Sequence, residues 1–313
     1  MEQFKKDVLA GLSSNPKSLS SKYFYDAIGD GLFVQIMNMP EYYLTRAEHE
    51  IFKTKTKQIV EELGLKKDRY FELIELGAGD GTKTKELLSH LIANEYQFDY
   101  LPVDISQNAL NGLKASLTTE LPSLSVVPKQ GDYFGVLESL KTSDHPKVVL
   151  FLGSNIGNML DDIATKFLSQ LSVALRPGDR LLLGVDLIKS AEIVLPAYND
   201  AQGITRAFNL NLLTRINREL GANFDITNFA HLPEYTEQDG VARSYLQSKV
   251  AQTVRIDAIN QEFKFAEGEK IHTEISRKYN DEVLGRILSK CDFSIHGKLT
   301  DRKGYFADYI LVR

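Results

Sequence analysis

Three alternating glycines, Gly77, Gly79 and Gly81, follow the apolar run at the start of FELIELGAGDGTKT, and two further runs of strand length end on acids, Asp104 in FDYLPVD and Asp132 in LSVVPKQGD. Glycine has no Cβ, so such a turn lets a ligand approach the backbone closely. A phosphate cradle needs Gly, Lys and Thr in succession, and here Thr82 separates Gly81 from Lys83. A dinucleotide fingerprint needs G-x-G-x-x-G. The chain has G-x-G-x-G, with the Asp80 carboxylate expected to point where pyrophosphate would lie. The pattern favours a nucleoside ligand without phosphates, and S-adenosylmethionine meets that description. Asp104 is placed to accept from both ribose hydroxyls, and Asp132 to receive the adenine amino group with Tyr133 beside it. Singly, each acid reads as a helix cap or turn residue; three strand ends in agreement carry the assignment.

The elements that must position these residues run from Tyr70 to about Asp186. FELIELG, FDYLPVD, LSVVPKQGD, VVLFLGS and DRLLLGVD alternate with helix-like segments such as ALNGLKASLTTEL and DIATKFLSQLSVAL. Most of these strands are continuous apolar runs, which points to a parallel sheet buried on both faces, a doubly wound α/β domain. Ligands bind such sheets at the carboxyl ends of the strands, where the glycines, Asp104, Asp132, Ser154 and Asp186 fall. FSIHGKLT and YFADYILVR read as a final antiparallel pair. Before the sheet, residues 1–63 read as helical, with Thr45 and Glu48 at capping-box spacing marking a helix start. Between Ile188 and about Phe265 the rhythm breaks into a helix around AFNLNLLTRINRELG, a polar turn region and a strand pair, as expected of an insertion that makes the first domain discontinuous.

Composition narrows the partners. The 313 residues are 43% hydrophobic, enough for a large core, and the net charge of −5 gives no electrostatic footprint for nucleic acid. The lone Cys291 excludes an intrachain disulfide and clusters of zinc-binding cysteines. His49, His90, His145, His231, His272 and His296 show no pair at metal spacing, so no metal is expected and surface or turn roles are assigned to each. The N-terminus lacks the apolar region of a signal peptide, and no run approaches a membrane span. A cytoplasmic monomer acting on a small molecule, without nucleic-acid or membrane partners, is expected.

At this point the sequence resembles a known family, the histidine-specific, S-adenosylmethionine-dependent methyltransferases that make trimethylhistidine in ergothioneine biosynthesis. The stretches that carry the resemblance include KSLSSKYFYDAIGDGLFVQI, PEYYLTRAEHEI, IELGAGDGTKT, VDIS, GDY, VVLFLGSNIGN, AYNDAQGITRAFNLNLLTRINRELGANFD and GEKIHTEISRKY. The nucleoside motifs are generic to methyltransferases; PEYYLTR, FLGSNIGN and TEIS are specific to this family. The resemblance implies a Rossmann-like class I methyltransferase domain over residues 47–188 and 278–313. It further implies a second, α+β substrate-binding domain over residues 1–46 and 189–277. By themselves Tyr23, Phe24, Tyr25, Tyr42 and Tyr43 read as the core and rim of a helical cap; the resemblance gives some of them functions.

Residue by residue, it implies that Gly77, Gly79, Lys83, Asp104, Asp132 and Tyr133 contact S-adenosylmethionine. Tyr42, Asn158 and Tyr198 correspond to residues that hold the amino-acid end of the substrate, Tyr25 lies near its nitrogen, and Glu274 and Ser276 are the imidazole-binding pair. Tyr25 and Asn158 are expected to orient the α-amino group rather than abstract its proton. The chemistry suits these residue types, because a carboxylate and a hydroxyl together serve the two imidazole nitrogens. Ser244 departs from the pattern, standing where histidine-methylating relatives usually carry methionine, and a small polar residue there enlarges or wets the pocket wall. Two other readings stay open: a methyltransferase for another amino acid, indole-bearing or thiolated and histidine-like, and a non-catalytic nucleoside-binding module.

Overall fold

Strands that are apolar at every position must bury both faces, and in this protein the alternate residues of one strand enter two separate cores. A computed structural model describes residues 1–141 and 143–313, the side chain of Ser139 excepted. In chain order the first elements are α1 (Glu2–Ser13), β1 (Lys17–Ser18), α2 (Ala27–Asn38), α3 (Tyr43–Glu62), β2 (Phe71–Leu76), α4 (Thr84–Ala93) and β3 (Phe98–Asp104). There follow α5 (Gln107–Glu120), β4 (Lys129–Gln130), α6 (Tyr133–Leu140), β5 (Lys147–Phe151), α7 (Asp161–Ala174), β6 (Arg180–Asp186), α8 (Ala191–Val194) and α9 (Ile204–Leu220). The last are β7 (Phe229–Glu234), β8 (Val241–Ser248), β9 (Gln252–Ile256), β10 (Gln261–Phe265), β11 (Lys270–Arg277), α10 (Asp281–Leu288), β12 (Ser294–Thr300) and β13 (Phe306–Val312). The chain divides into a smaller unit, Met1–Tyr43 with Lys189–Ser276, and a larger one, Leu44–Ile188 with Arg277–Arg313.

In the larger unit, among the described residues, a seven-stranded sheet has the order β12-β13-β6-β5-β2-β3-β4. β2 pairs in parallel with both β3 and β5, β5 with β6, and the last two strands run antiparallel. Order reverses between β2 and β5, which makes the carboxyl end of β2 the switch point where such sheets bind ligands. Val149 and Phe151 of β5 join the core beneath α6, α7 and α10, while Val148 and Leu150 join the one beneath α3, α4 and α5. Each such side chain, fully buried, contributes about 1.5–3 kcal/mol. The fold is thus the expected doubly wound α/β sheet with a final antiparallel pair.

In the smaller unit a four-stranded sheet has the order β1-β11-β8-β7, and β9 and β10 form a separate antiparallel pair. Phe208, Leu212, Leu213 and Ile216 of α9 meet Leu246 of β8, Ile271 of β11 and Phe4, Val8 and Leu12 of α1 in one core.

Three local expectations need correction. The helix expected at Thr45 begins at Tyr43, so Thr45 lies within its first turn rather than capping it. The strand expected over LSVVPKQGD is reduced to an isolated bridge from Val126 to Tyr100 and the two residues of β4. Pro128 stands between them and has no N–H to give a ladder, which confines this segment to the sheet edge. Within the stretch read as a polar turn region lies β7.

Candidate functional site

In the larger unit the turn after β2 takes the conformation that its glycines permit: Gly77, Gly79 and Gly81 all have positive φ, 74°, 54° and 67°. The Gly77 and Ala78 amides donate to the Val103 carbonyl at 2.7 and 3.2 Å, which fixes the turn to the end of β3. A Cβ on Gly77 would stand 2.6 Å from Asn155 Nδ2 and 2.8 Å from the Tyr133 hydroxyl, so two polar side chains close on the bare backbone there.

Asp104 ends β3 with both oxygens engaged. Its Oδ2 accepts from the Gly79 amide at 3.2 Å and its Oδ1 from the Ser106 amide at 2.9 Å. A carboxylate offers about four lone-pair positions, so a carboxylate oriented by two amides retains the capacity to accept from a pair of ribose hydroxyls. Asp132 is exposed and accepts from the Gly135 amide at 2.7 Å, the geometry of a cap on α6. Tyr133 follows it, edge-on to Phe151 at 5.0 Å; burial, then the charge of Asp104, raises its hydroxyl pKa, so the phenol stays protonated. Asp80 turns back on its own loop to accept from the Thr82 amide at 3.0 Å. The cradle at Gly77, the oriented acid at Asp104 and the protonated phenol together fit a nucleoside.

Lys83, just before α4, is largely but not fully enclosed. Its ammonium pairs with Glu48 of α3, and only 21% of its side chain is exposed. Burial opposes its charge, but the Glu48 carboxylate outweighs burial and raises its pKa above the ordinary value. Glu75 of β2, fully buried, accepts from Thr84 Oγ1 at 2.8 Å and from the Tyr100 hydroxyl at 2.5 Å. Burial pushes its carboxyl up to about 7 against the lowering pull of those two bonds.

The loop after β5 carries Ser154 with φ 56°, a left-handed conformation costing a non-glycine residue on the order of 1–3 kcal/mol. It is held by the Asp186 amide, which donates to Ser154 Oγ at 3.0 Å, and by the Gly157 amide, which donates to the Ser154 carbonyl at 2.8 Å. The single helical turn that follows places Asn155 half-buried and Asn158 exposed. Asp186, expected among the acids at the ligand edge, is fully buried in an ion pair with Lys278 at 2.8 Å.

In the smaller unit, β8 and β11 bring Ser244 and Glu274 together: Ser244 Oγ donates to Glu274 Oε2 at 3.1 Å. Ser244 is 1% exposed, its hydroxyl turned to the acid. Thr273 behind it lies within hydrogen-bond distance of Asn209 Oδ1 in α9 and of the Ser244 carbonyl. Ser276, two residues beyond Glu274, is also buried. Tyr25 and Tyr42 share an aromatic neighbour, Phe33, edge-on at 5.5 and 6.4 Å, and Tyr25 also meets Phe208. Tyr198, nearly buried, ends the helical turn after α8. The surface or turn role assigned to every histidine fails at two. His231 of β7 stands opposite the fully buried Leu246, so the ladder puts both on the inner face, and neither ring nitrogen has a hydrogen-bond partner among the described residues. Burial drives its pKa down to about 4, and burial lowers that of His272 as well. Among the described residues no cluster of His, Cys, Asp or Glu could hold a metal ion, and no helix is long and apolar enough to cross a membrane.

Sequence reasoning missed Glu48 and Asn155 as residues of the nucleoside edge. Glu48 had a signal: it falls in the apolar stripe Leu44, Ala47, Ile51, Phe52 of α3, where a carboxylate is out of place unless paired. Asn155 had only its place within SNIGN.

The family model for histidine-specific, SAM-dependent methyltransferases matches residues 4–313. A histidine N-alpha-methyltransferase of Mycolicibacterium smegmatis is 37% identical over 312 residues, covering 100% of this chain and 95% of that protein. One from Mycobacterium tuberculosis is 34% identical, covering 96% and 92%. Ergothioneine biosynthesis protein 1 of Schizosaccharomyces pombe is 31% identical over 94% of this chain, which spans 39% of that longer protein. Among solved structures, the CurJ carbon methyltransferase superposes with a TM-score of 0.51 at 13% identity, covering 91% of this chain and 59% of that one, a likeness of fold.

Proposed function

This chain belongs to the histidine-specific, S-adenosylmethionine-dependent methyltransferase family, and from that premise we propose that it methylates the α-amino nitrogen of L-histidine, in three successive transfers, to trimethylhistidine. The observation that carries the acceptor reading is in β11. Glu274 and Ser276, two residues apart in a strand, present a carboxylate and a hydroxyl on one face. An imidazole offers one N–H and one bare nitrogen, and this pair answers both, whereas a side chain lacking either makes fewer hydrogen bonds to it. Ser244 donates to the Glu274 carboxylate and fixes its orientation.

Bound S-adenosylmethionine supplies a methyl group on a sulfonium, which an unprotonated amine displaces in line while the C–S electron pair leaves with sulfur. For that step the protein must align two reactants rather than form a bond of its own, and proximity with orientation can supply much of the acceleration. Asp104 is assigned to the ribose hydroxyls, Asp132 and Tyr133 to the adenine end, Gly77 and Gly79 to close backbone approach, and Lys83 to the donor's carboxylate. Tyr42, Tyr198 and Asn158 are assigned to the substrate carboxylate, with Tyr25 and Asn158 orienting the amine. The nitrogen gains a positive charge with each new C–N bond; after the first and second transfers it sheds a proton to solvent and is nucleophilic again, and after the third it keeps its charge as a quaternary ammonium with no N–H left. The reaction is placed in the cytoplasm, with a free amino acid as the partner.

The test is S-adenosylhomocysteine release measured over a panel of amino acids that includes histidine, its mono- and dimethylated forms, tryptophan and a thiolated histidine. Turnover should be greatest with histidine and its partly methylated forms. No turnover with histidine would sink the proposal.

A further inference from the structure

Glu48 is a charge that the fold goes out of its way to hold. It lies on the apolar stripe of α3 at 0% exposure, where a leucine would be the cheaper occupant. Three elements of the sheet edge meet it. Lys83, at the start of α4, pairs with Oε2, and the Gly153 amide, in the loop after β5, donates to both oxygens at 2.8 and 3.0 Å. β6 makes room for it at Gly184, where a Cβ would stand 2.2 Å from Glu48 Oε1 and 2.9 Å from Asp308 Oδ1. Asp308 is directly opposite Gly184 in the β6–β13 ladder, fully buried, and neither of its oxygens has a hydrogen-bond partner among the described residues. Burial, reinforced by the Glu48 charge, raises the Asp308 pKa well above the carboxylate range. The Glu48 carboxylate and the Asp308 carboxyl therefore meet over the bare backbone of Gly184.

A buried ion pair is weak evidence of stability, but it is costly to break, because removing one partner leaves the other charged and alone. What this pair fixes is the turn after β2 and the loop after β5, the two segments that close around Gly77. We infer that Glu48 is a positioning residue of the methyl-donor site, holding the Lys83 ammonium and the Gly153 amide in register before the donor arrives. The inference rests on the assignment of Lys83 to S-adenosylmethionine made above, and it adds a residue that touches neither donor nor acceptor.

The test is calorimetric titration of S-adenosylhomocysteine into the full-length wild type, Glu48→Gln, Lys83→Met and the double variant, with the KM for histidine measured at saturating S-adenosylmethionine. Each single substitution should weaken binding about tenfold, and the double variant should be no weaker than Lys83→Met to within about twofold, since both act through one interaction. The histidine KM should stay within about twofold, a split that general loosening of the structure would not produce. If Lys83→Met weakens binding and Glu48→Gln does not, or if the two effects add, Glu48 does not position Lys83 and the inference falls alone. If Lys83→Met has no effect, the assignment of Lys83 falls and this inference with it. Should Glu48→Gln fail to fold, the Gly153 amide resonance is the second readout. It should shift in Lys83→Met and on addition of S-adenosylhomocysteine to the wild type, and a resonance that moves in neither overturns the inference.

Discussion

The larger and smaller units hold their functional groups by different means. At the edge of the seven-stranded sheet the candidate groups are backbone positions at Gly77 and Gly79 and an acid, Asp104, pinned by two amides. In the smaller unit they are side chains, with Ser244 and Glu274 joined across two strands and Tyr25 and Tyr42 set around Phe33. Backbone placement follows from the fold and suits a ligand that many proteins share. Side chains on a ladder can be exchanged one at a time without disturbing its hydrogen bonds, so under the proposed function the smaller unit is where selectivity would be set.

Their buried ionisable groups differ in sign, and this gives the largest expected effects. Glu75 of the larger unit has its pKa raised from 4.5 to about 7, so the stability it contributes is complete below pH 4.5 and is lost as pH rises through 7. His231 of the smaller unit has its pKa lowered from 6.5 to about 4, so its contribution is complete above pH 6.5 and is lost as pH falls through 4. Each shift corresponds to about 3 kcal/mol, and between pH 4.5 and 6.5 the two slopes oppose. Denaturant unfolding across this range should show stability rising with pH in Glu75→Gln and falling with pH in His231→Leu. Identical pH profiles in the two variants would erase the contrast.

Next in size is Asp104→Ala, which should weaken S-adenosylhomocysteine binding on the order of 100-fold by removing hydrogen bonds to a charged acceptor, with no dependence on the amino acid offered. Glu274→Ala should do the reverse, raising the histidine KM roughly 30-fold while calorimetry finds S-adenosylhomocysteine affinity within about twofold of the wild type. Ser244→Ala is the smallest, about three- to fivefold in the same KM, because it removes only the bond that orients Glu274. Should Glu274→Ala and Asp104→Ala each damage both ligands equally, the division of labour between the units would be wrong.

The same contrast explains what could be read in advance. β2, β3, β5 and β6 were legible because strands buried on both faces write continuous apolar runs, and the nucleoside edge was legible because its glycines and terminal acids lie at fixed distances from those runs. The third strand was over-read because Pro128 breaks a ladder that its apolar neighbours seem to promise. β7 was missed because a strand of intermediate burial, with Pro233 inside it, leaves little alternation to detect. The histidines were misjudged because burial of His231 depends on its register against Leu246, and register is not written in local composition.

By itself the sequence determined the sheet and the nucleoside ligand and, through its resemblance to a known family, pointed to TEIS and PEYYLTR as the proposed acceptor residues. Short-range chemistry does this: a glycine turn, an apolar run and a terminal acid each act within a few residues. Only the tertiary structure decided that Ser244 is bonded to Glu274, that Asp186 is spent on Lys278, and that Glu48 binds Lys83 and Gly153 inside the fold. Those partners are separated by 30 to 105 residues, and a buried charge or hydroxyl finds its mate through the packing of whole elements, which no local pattern records.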